Sequence, residues 1–265
     1  MIPKKIQNFL TKRNAKVPVF VLGCQRSGTT MLLNVFEKSD EFYVFHEGNI
    51  NAYKNYRIKP LRDIKNLIER SKKKYIVFKP INDLHLSNEF LELSKDARAI
   101  WIYRDFNDVV NSSVKKWGSA QREIILGIIT GRKRHPGHDA IMDGISEEDM
   151  NFLTRFKNTE ISSEDGAALL WYIRNRIFLE KNLYINPKVI LVKYEDLVAS
   201  PEESFGVIYK FIGCEFSRQY VQDVKASSVK KNPPPRLSGK IMEQCIALQY
   251  ELDKYSLKRV YEISG

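Results

Sequence analysis

Val17–Gly23 (VPVFVLG) is an unbroken apolar run that ends in glycine and leads into 23–30, GCQRSGTT. Such a run, closed by a turn residue, predicts a strand covered on both faces, the kind that parallel sheets use. Met31, Leu32, Val35 and Phe36 follow at helical spacing, which predicts a helix over 29–38. Strand, glycine-containing loop and helix in that order let several backbone N–H groups converge on one phosphate, and the helix dipole adds to their field. This one feature commits the start of the chain to an α/β layout.

The following residues keep the alternation. Strands are expected at 42–45, 75–79 (YIVFK), 98–103 (RAIWIY) and 188–192 (KVILV). Helices are expected at 59–74, 82–95, 106–117 with Asp105 as cap, 164–184, 201–212 stopped by Gly213, and from about 238 onward. Segment 119–163 carries no strand signal and reads as a helical insertion with loops. The expected fold is therefore α/β: a P-loop-type parallel sheet flanked by helices, with a helical insertion and a helical C-terminus, as one domain over 1–265.

Composition excludes several classes. At 43% apolar and 28% charged residues the chain is globular rather than disordered, fibrous or coiled-coil. Its three cysteines (Cys24, Cys214, Cys245) neither frame a small disulfide fold nor sit at zinc-finger spacing. No apolar run is long enough to span a bilayer, and the first residues lack the apolar core of a secretory signal. The expectation is a soluble protein of the reducing cytoplasm, with no bound metal. Net charge is +11, spread over Lys72–Lys74, Arg132–Arg134 and Lys230–Lys231 among others, which favours an anionic partner without choosing one. No aromatic-basic stripe or recognition helix is present, so nucleic acid is not expected as the partner.

The loop itself narrows the choice. Gly23 and Gly28 have the G-x4-G spacing of a nucleotide-triphosphate loop, but Thr29 stands where the phosphate-neutralising lysine would follow the second glycine. The cation is three positions upstream, at Arg26. A loop so built suits a single 5′-phosphate better than a metal-chelated triphosphate. The competing class, a P-loop kinase or nucleotide hydrolase using ATP, needs that lysine and a metal-holding aspartate at a strand end, where YIVFK ends in lysine instead.

With RSGTT in this context the sequence resembles the sulfotransferases, which move a sulfuryl group from 3′-phosphoadenosine 5′-phosphosulfate (PAPS) to a hydroxyl or amine and release PAP. The arginine form of the loop is similar to that of tyrosylprotein, carbohydrate and many bacterial members. The resemblance implies that Arg26, Ser27, Gly28, Thr29 and Thr30 hold the 5′-phosphosulfate. IYRDFNDVVNS resembles the 3′-phosphate motif, with Arg104 and Ser112 eight residues apart and Lys116 one turn further on. VKYEDLVASP is similar to the family's YEDL element, which makes Tyr194 a nucleotide contact. SSVKKNPPPR falls where the family has a basic closing loop, and so Ser228 and Lys231 are carried over. Structural alternatives stay open: Arg104 paired with Asp105 or Asp108, Tyr194 packed under C-terminal helices, and 227–236 a solvated basic loop.

Sulfuryl transfer needs a base for the acceptor proton and cations where charge gathers on the bridging oxygen. His46 and Glu47 follow the second strand, at the carboxyl edge where parallel sheets bind ligands. By resemblance to members with a glutamate about seventeen residues after RSGTT, Glu47 is the expected base and His46 the substitute. Glu47 paired with a nearby lysine is the bland alternative. Lys79 resembles a lysine beside the sulfonate and is expected to act there with Arg26. A second group of sulfotransferases takes its base from a histidine after the third strand, where this chain has Pro80 and Ile81, with His85 further on. The acceptor is not named by any motif. The insertion and the 53–59 loop are expected to line its site, and Lys54, Arg57, Arg132 and Arg134 suit an acidic or carbohydrate acceptor better than a phenol.

Overall fold

The structure, a computed structural model, describes residues 15–132 and 138–256. Lys133, Arg134, His135, Pro136 and Gly137 of the expected basic cluster lie outside the described residues, as do Lys4 and Lys5. The chain builds one parallel five-stranded sheet. Its strands are β1 (Val17–Gly23), β2 (Phe42–Phe45), β5 (Tyr75–Phe78), β6 (Arg98–Tyr103) and β7 (Val189–Lys193), in the order β2-β5-β1-β6-β7. The chain starts in the centre, runs out to the β2 edge, returns to insert β5, and then lays β6 and β7 on the other side.

The two-residue period of the strands splits the core. Val19 and Val21 of β1, with Val77, Ile100 and Ile102, face α1 (Thr29–Phe36) and α10 (Pro201–Ile212). Phe20 and Leu22, with Phe78 and Trp101, face the other layer, built from α4 (Phe106–Trp117), α5 (Ala120–Thr130), α8 (Ser163–Glu180) and α11 (Gly239–Tyr255). Phe20, Trp101 and Trp171 are wholly buried, and each such side chain contributes about 1.5–3 kcal/mol.

The remaining elements are a small antiparallel hairpin, β3 (Tyr53–Lys54) and β4 (Arg57–Ile58), and the helices α2 (Leu61–Arg70), α3 (Ser87–Glu92), α6 (His138–Met142), α7 (Glu147–Thr154) and α9 (Tyr194–Ala199). Several ends differ from the expected ones for local reasons. The helix expected at 164–184 stops at Glu180, because Asn182 takes a left-handed conformation at φ 52°. The helix expected from 82 begins as a 3₁₀ turn at Leu84, since the Asp83 carboxylate is engaged by Arg57 and by the Ile58 N–H instead of capping a helix. The 53–59 loop is partly a hairpin, turned by Asn55 and Tyr56 at φ 52° and 61°.

The insertion is helical, as expected, and α5 packs closely on α8: a Cβ on Gly166 would sit 2.4 Å from Arg122 Cα. Its second part is tied to α8 by charge. Arg176 meets Asp149 Oδ1 at 2.9 Å, Glu148 Oε2 at 2.7 Å and Glu180 Oε1 at 3.0 Å. Asp149 is fully buried, and burial pushes its carboxyl up to about 7, aided by Glu180 and opposed by Arg176. Among the described residues no helix is long and apolar enough to cross a membrane.

Candidate active site

All five strands of the sheet end at one edge, and each hands a polar residue to it. β1 runs into the 23–30 loop, β2 into His46 and Glu47, β5 into Lys79, β6 into Arg104, and β7 into Tyr194. A parallel sheet opens its ligand crevice at this edge.

The loop is shaped by two glycines with no room for a side chain. Gly23 has φ 137°, and a Cβ there would lie 2.1 Å from the Ile102 carbonyl oxygen. Gly28 has φ 96°, and its Cβ would lie 2.4 Å from Cδ2 of Tyr194. Gly28 also precedes α1 without a side-chain cap, so the first N–H groups of the helix stay available to a ligand. Ser27 and Thr29 are buried, and among the described residues the Ser27 hydroxyl has no hydrogen-bond partner.

On one side of the loop, Arg104 is buried under a ring of contacts. Its Nη2 donates to the Ser228 carbonyl at 2.6 Å and to Asp108 Oδ2 at 3.1 Å, and its Nη1 donates to the Arg26 carbonyl at 3.5 Å. The guanidinium lies 4.5 Å from the centre of the Tyr194 ring, and its Nε lies 4.0 Å from Glu195 Oε1, with no hydrogen-bond partner among the described residues. Tyr194 and Ser228 share a 2.7 Å hydroxyl contact, and Asp108 Oδ2 accepts from the Lys230 N–H at 2.9 Å. Segment 228–233 is thereby pinned onto α4, where Asn111 donates to the Pro233 carbonyl at 2.9 Å. Arg26, itself at φ 69°, donates from Nε to Ser112 Oγ at 2.9 Å and faces the Trp117 ring.

On the other side, Lys79 joins the loop to a carboxylate. Its buried ammonium lies 2.7 Å from Glu47 Oε2 and donates to Thr30 Oγ1 at 3.1 Å. Burying a lysine head is costly unless it is paired, and Glu47 supplies the pair. Beyond them, Gln25 donates to Asn82 Oδ1 at 3.1 Å, and Asn82 donates to the Tyr56 carbonyl at 3.1 Å. Arg57 bonds both Asp83 and, at 2.8 Å, Asp143 Oδ2, which ties the hairpin to the insertion. The edge thus offers converging N–H, guanidinium and hydroxyl donors, suited to anions, beside a carboxylate–ammonium pair suited to proton and charge transfer.

Residues 16–235 match the family model described as the sulfotransferase domain. The chain belongs to the sulfotransferase family. Solved sulfotransferases share its fold at low identity. The sulfotransferase domain of the Synechococcus PCC 7002 olefin synthase is 14% identical, with 89% of this chain and 96% of that one covered at a TM-score of 0.51. The sulfotransferase domain of the curacin biosynthetic pathway gives 14%, 89%, 99% and 0.51. A sulfotransferase from Alicyclobacillus acidocaldarius gives 11%, 91%, 94% and 0.50. No curated protein matches this sequence.

In this sulfotransferase the sequence-derived candidates fall into three groups. Arg26, Ser27, Gly28, Thr29, Arg104, Ser112, Tyr194 and Ser228 come together around the loop, and Thr30, Lys79 and Glu47 form the adjoining cluster. Lys116 and Lys231 are exposed. His46 hydrogen-bonds Glu37 at 2.7 Å rather than joining Lys79 and Glu47. Both structural alternatives for Arg104 and Glu47 are realised, since each is ion-paired as well as at the edge. Arg57 is held by two carboxylates, so its charge is not free to attract an acidic acceptor. His85 is half-buried in the 3₁₀ turn, where burial pulls its pKa below the usual value.

Three residues escape a reading of the sequence. Tyr53 bonds across two strand ends. Glu195 accepts from the Asp105 N–H at 3.2 Å, and burial raises its carboxyl pKa. Arg174, in the middle of α8, is buried with no hydrogen-bond partner for Nε and Nη2 among the described residues, and burial lowers its pKa to about 10, still charged at neutral pH. The apolar helical stripe around Arg174 hides it, because spacing alone reports a buried face and not which charge is on it.

Proposed function

We propose that this protein transfers a sulfuryl group from PAPS to a hydroxyl-bearing acceptor, with Glu47 as the general base. The observation that carries this reading is the contact of Lys79 with both Glu47 and Thr30, which joins the base candidate, a cation and the loop in one cluster.

The residues present suit the donor. The Ser27 hydroxyl, which has no hydrogen-bond partner among the described residues, and the uncapped start of α1 are unsatisfied donors of the type that phosphate and sulfate oxygens accept from. On this reading Ser27, Gly28, Thr29 and Thr30 hold the 5′ end, Arg104 and Ser112 with Lys116 hold the 3′-phosphate, and Tyr194, Ser228 and Lys231 close over the nucleotide. The donor supplies an activated sulfuryl group on a good leaving group, so the protein's tasks are positioning and charge stabilisation. Glu47 takes the acceptor's proton. Lys79 and Arg26 offset the negative charge that develops on the leaving side; losing one such group typically costs about 10²–10³ in rate. A carbohydrate is the acceptor class we favour, and the cytoplasm the setting. The ATP-using alternative gains no support from the loop, which has Thr29 in the lysine position.

Thermal shift separates the readings. PAP at about a hundred times its Kd is expected to stabilise the protein by about 2.7 kcal/mol, with magnesium-ATP giving much less. The reverse ranking would move the protein to the ATP class. Transfer from labelled PAPS across glycans, lipids and phenols then identifies the acceptor.

A further inference from the structure

The inferred base and cation are carried by two neighbouring strands, and one side chain spans both strand ends. β2 and β5 pair in parallel as far as Phe45 and Phe78, and β1 and β5 pair as far as Phe20 and Phe78. The next amide, that of Lys79, lies beyond the registers on both sides. It donates instead to the phenol oxygen of Tyr53 at 2.7 Å, and the same hydroxyl donates to the Phe45 carbonyl at 3.4 Å. A neutral phenol has one proton to give and lone pairs to receive, so both bonds are made with each group in its natural role. Tyr53 is 3% exposed, and desolvation pushes its pKa upward, which keeps the proton on the oxygen.

The hairpin bearing Tyr53 is also held from its far end. Asp83 receives Arg57 Nε and the Ile58 N–H, the latter at 2.8 Å, and the Lys59 N–H donates to the Ala52 carbonyl at 2.9 Å. Tyr53 therefore enters the strand ends from a fixed arm. Its hydroxyl bonds Lys79 and Phe45 only through the backbone, two residues before Glu47 on one strand and at the cation itself on the other.

We propose that Tyr53 is a positioning residue that sets the separation of Glu47 and Lys79 by locking the ends of the two strands that carry them. The proposal deepens the sulfotransferase reading and rests on it. Displacements of about an ångström at reacting groups cost on the order of a hundredfold in rate.

The test is Tyr53→Phe together with Tyr53→4-fluorophenylalanine, which fills the hydroxyl's space, and Tyr53→4-aminophenylalanine, which restores a group able to donate and accept. Turnover from PAPS, PAP affinity and amide hydrogen exchange are measured for each. The expected result is a fall in kcat of about 10–100-fold for the first two, with PAP affinity unchanged. Exchange at the Lys79 amide is expected to accelerate while that of β1 does not, and the amino variant should regain most of the kcat. Unchanged kcat despite faster exchange at Lys79 would overturn the proposal. So would losses of kcat, PAP affinity and β1 protection together, unrelieved by the amino variant, because that pattern marks a purely structural tyrosine. If Tyr53→Phe does not fold, the fluoro and amino pair decides alone. A wild-type chain that binds no PAP and transfers nothing from PAPS defeats the donor reading itself, and this proposal falls with it.

Discussion

The two flanks of the loop are built on different principles. Around Arg104 the contacts are many and redundant: two carbonyls, two carboxylates and an aromatic face surround one guanidinium, and a distant segment is pinned over it. Around Glu47 the contacts are few and reciprocal: one carboxylate and one ammonium, placed by strand ends and by a short hairpin. The first arrangement suits a ligand that is the same in every turnover. The second leaves a charge pair joined through one oxygen, Glu47 Oε2, so the carboxylate's other oxygen can accept a proton while Lys79 holds the first.

The sharpest way to break this contrast is Glu47→Gln. Turnover is expected to fall by about 10²–10⁴, with PAP affinity intact by calorimetry. Full activity would transfer the base role to His46 or to another residue. Next in size is a pH effect on the insertion that flanks the Glu47 side. The Asp149 carboxyl titrates near 7 in the folded protein, against 3.8 for an unperturbed aspartate side chain. The folded state therefore holds the extra proton between these limits, and its contribution to stability declines as pH rises from about 4 to about 7. Asp149→Asn is expected to remove that decline. Its denaturation free energy should gain on the wild type by up to about 4 kcal/mol across the interval and stay level below it. A constant difference at all pH values would refute the assignment.

On the Arg104 side, Arg104→Ala is expected to weaken PAP binding by about tenfold to a hundredfold, with less effect on the rate within the bound complex. Equal affinity would remove Arg104 from the 3′-phosphate site. Ser112→Ala should have the smallest effect, about 1 kcal/mol or roughly fivefold in PAP affinity, because a single neutral hydroxyl is lost.

The same contrast explains what the sequence made legible. The loop and the Arg104–Ser112 pair could be read because their chemistry is tied to local context: a buried strand, two glycines and a helix start. The central strands were legible for a similar reason, since β1, β5 and β6 beyond Arg98 are continuous apolar runs. The hairpin was not. Its strands are two residues each, and Tyr56 adopts a left-handed conformation that nothing in its type announces. The pairing of Lys79 with Glu47 was foreseeable only as one option, because it depends on β5 being inserted beside β2, an outcome of sheet order rather than of spacing. Arg174 was invisible for the opposite reason: its neighbours follow the apolar pattern, and the charge goes into the interior with them.

The lack of space between Gly28 and Tyr194 has a consequence for how the molecule comes into being. The ring that backs the loop belongs to a segment made only after every strand of the sheet, directly beyond β7, which pairs with β6. Contacts so distant along the chain form late. A nascent chain released before Tyr194 would have its strand, its glycines and its arginine, yet no wall against which the loop could settle. Competence to grip an anion should therefore emerge only as the final strand docks, with the rest of the sheet already in place.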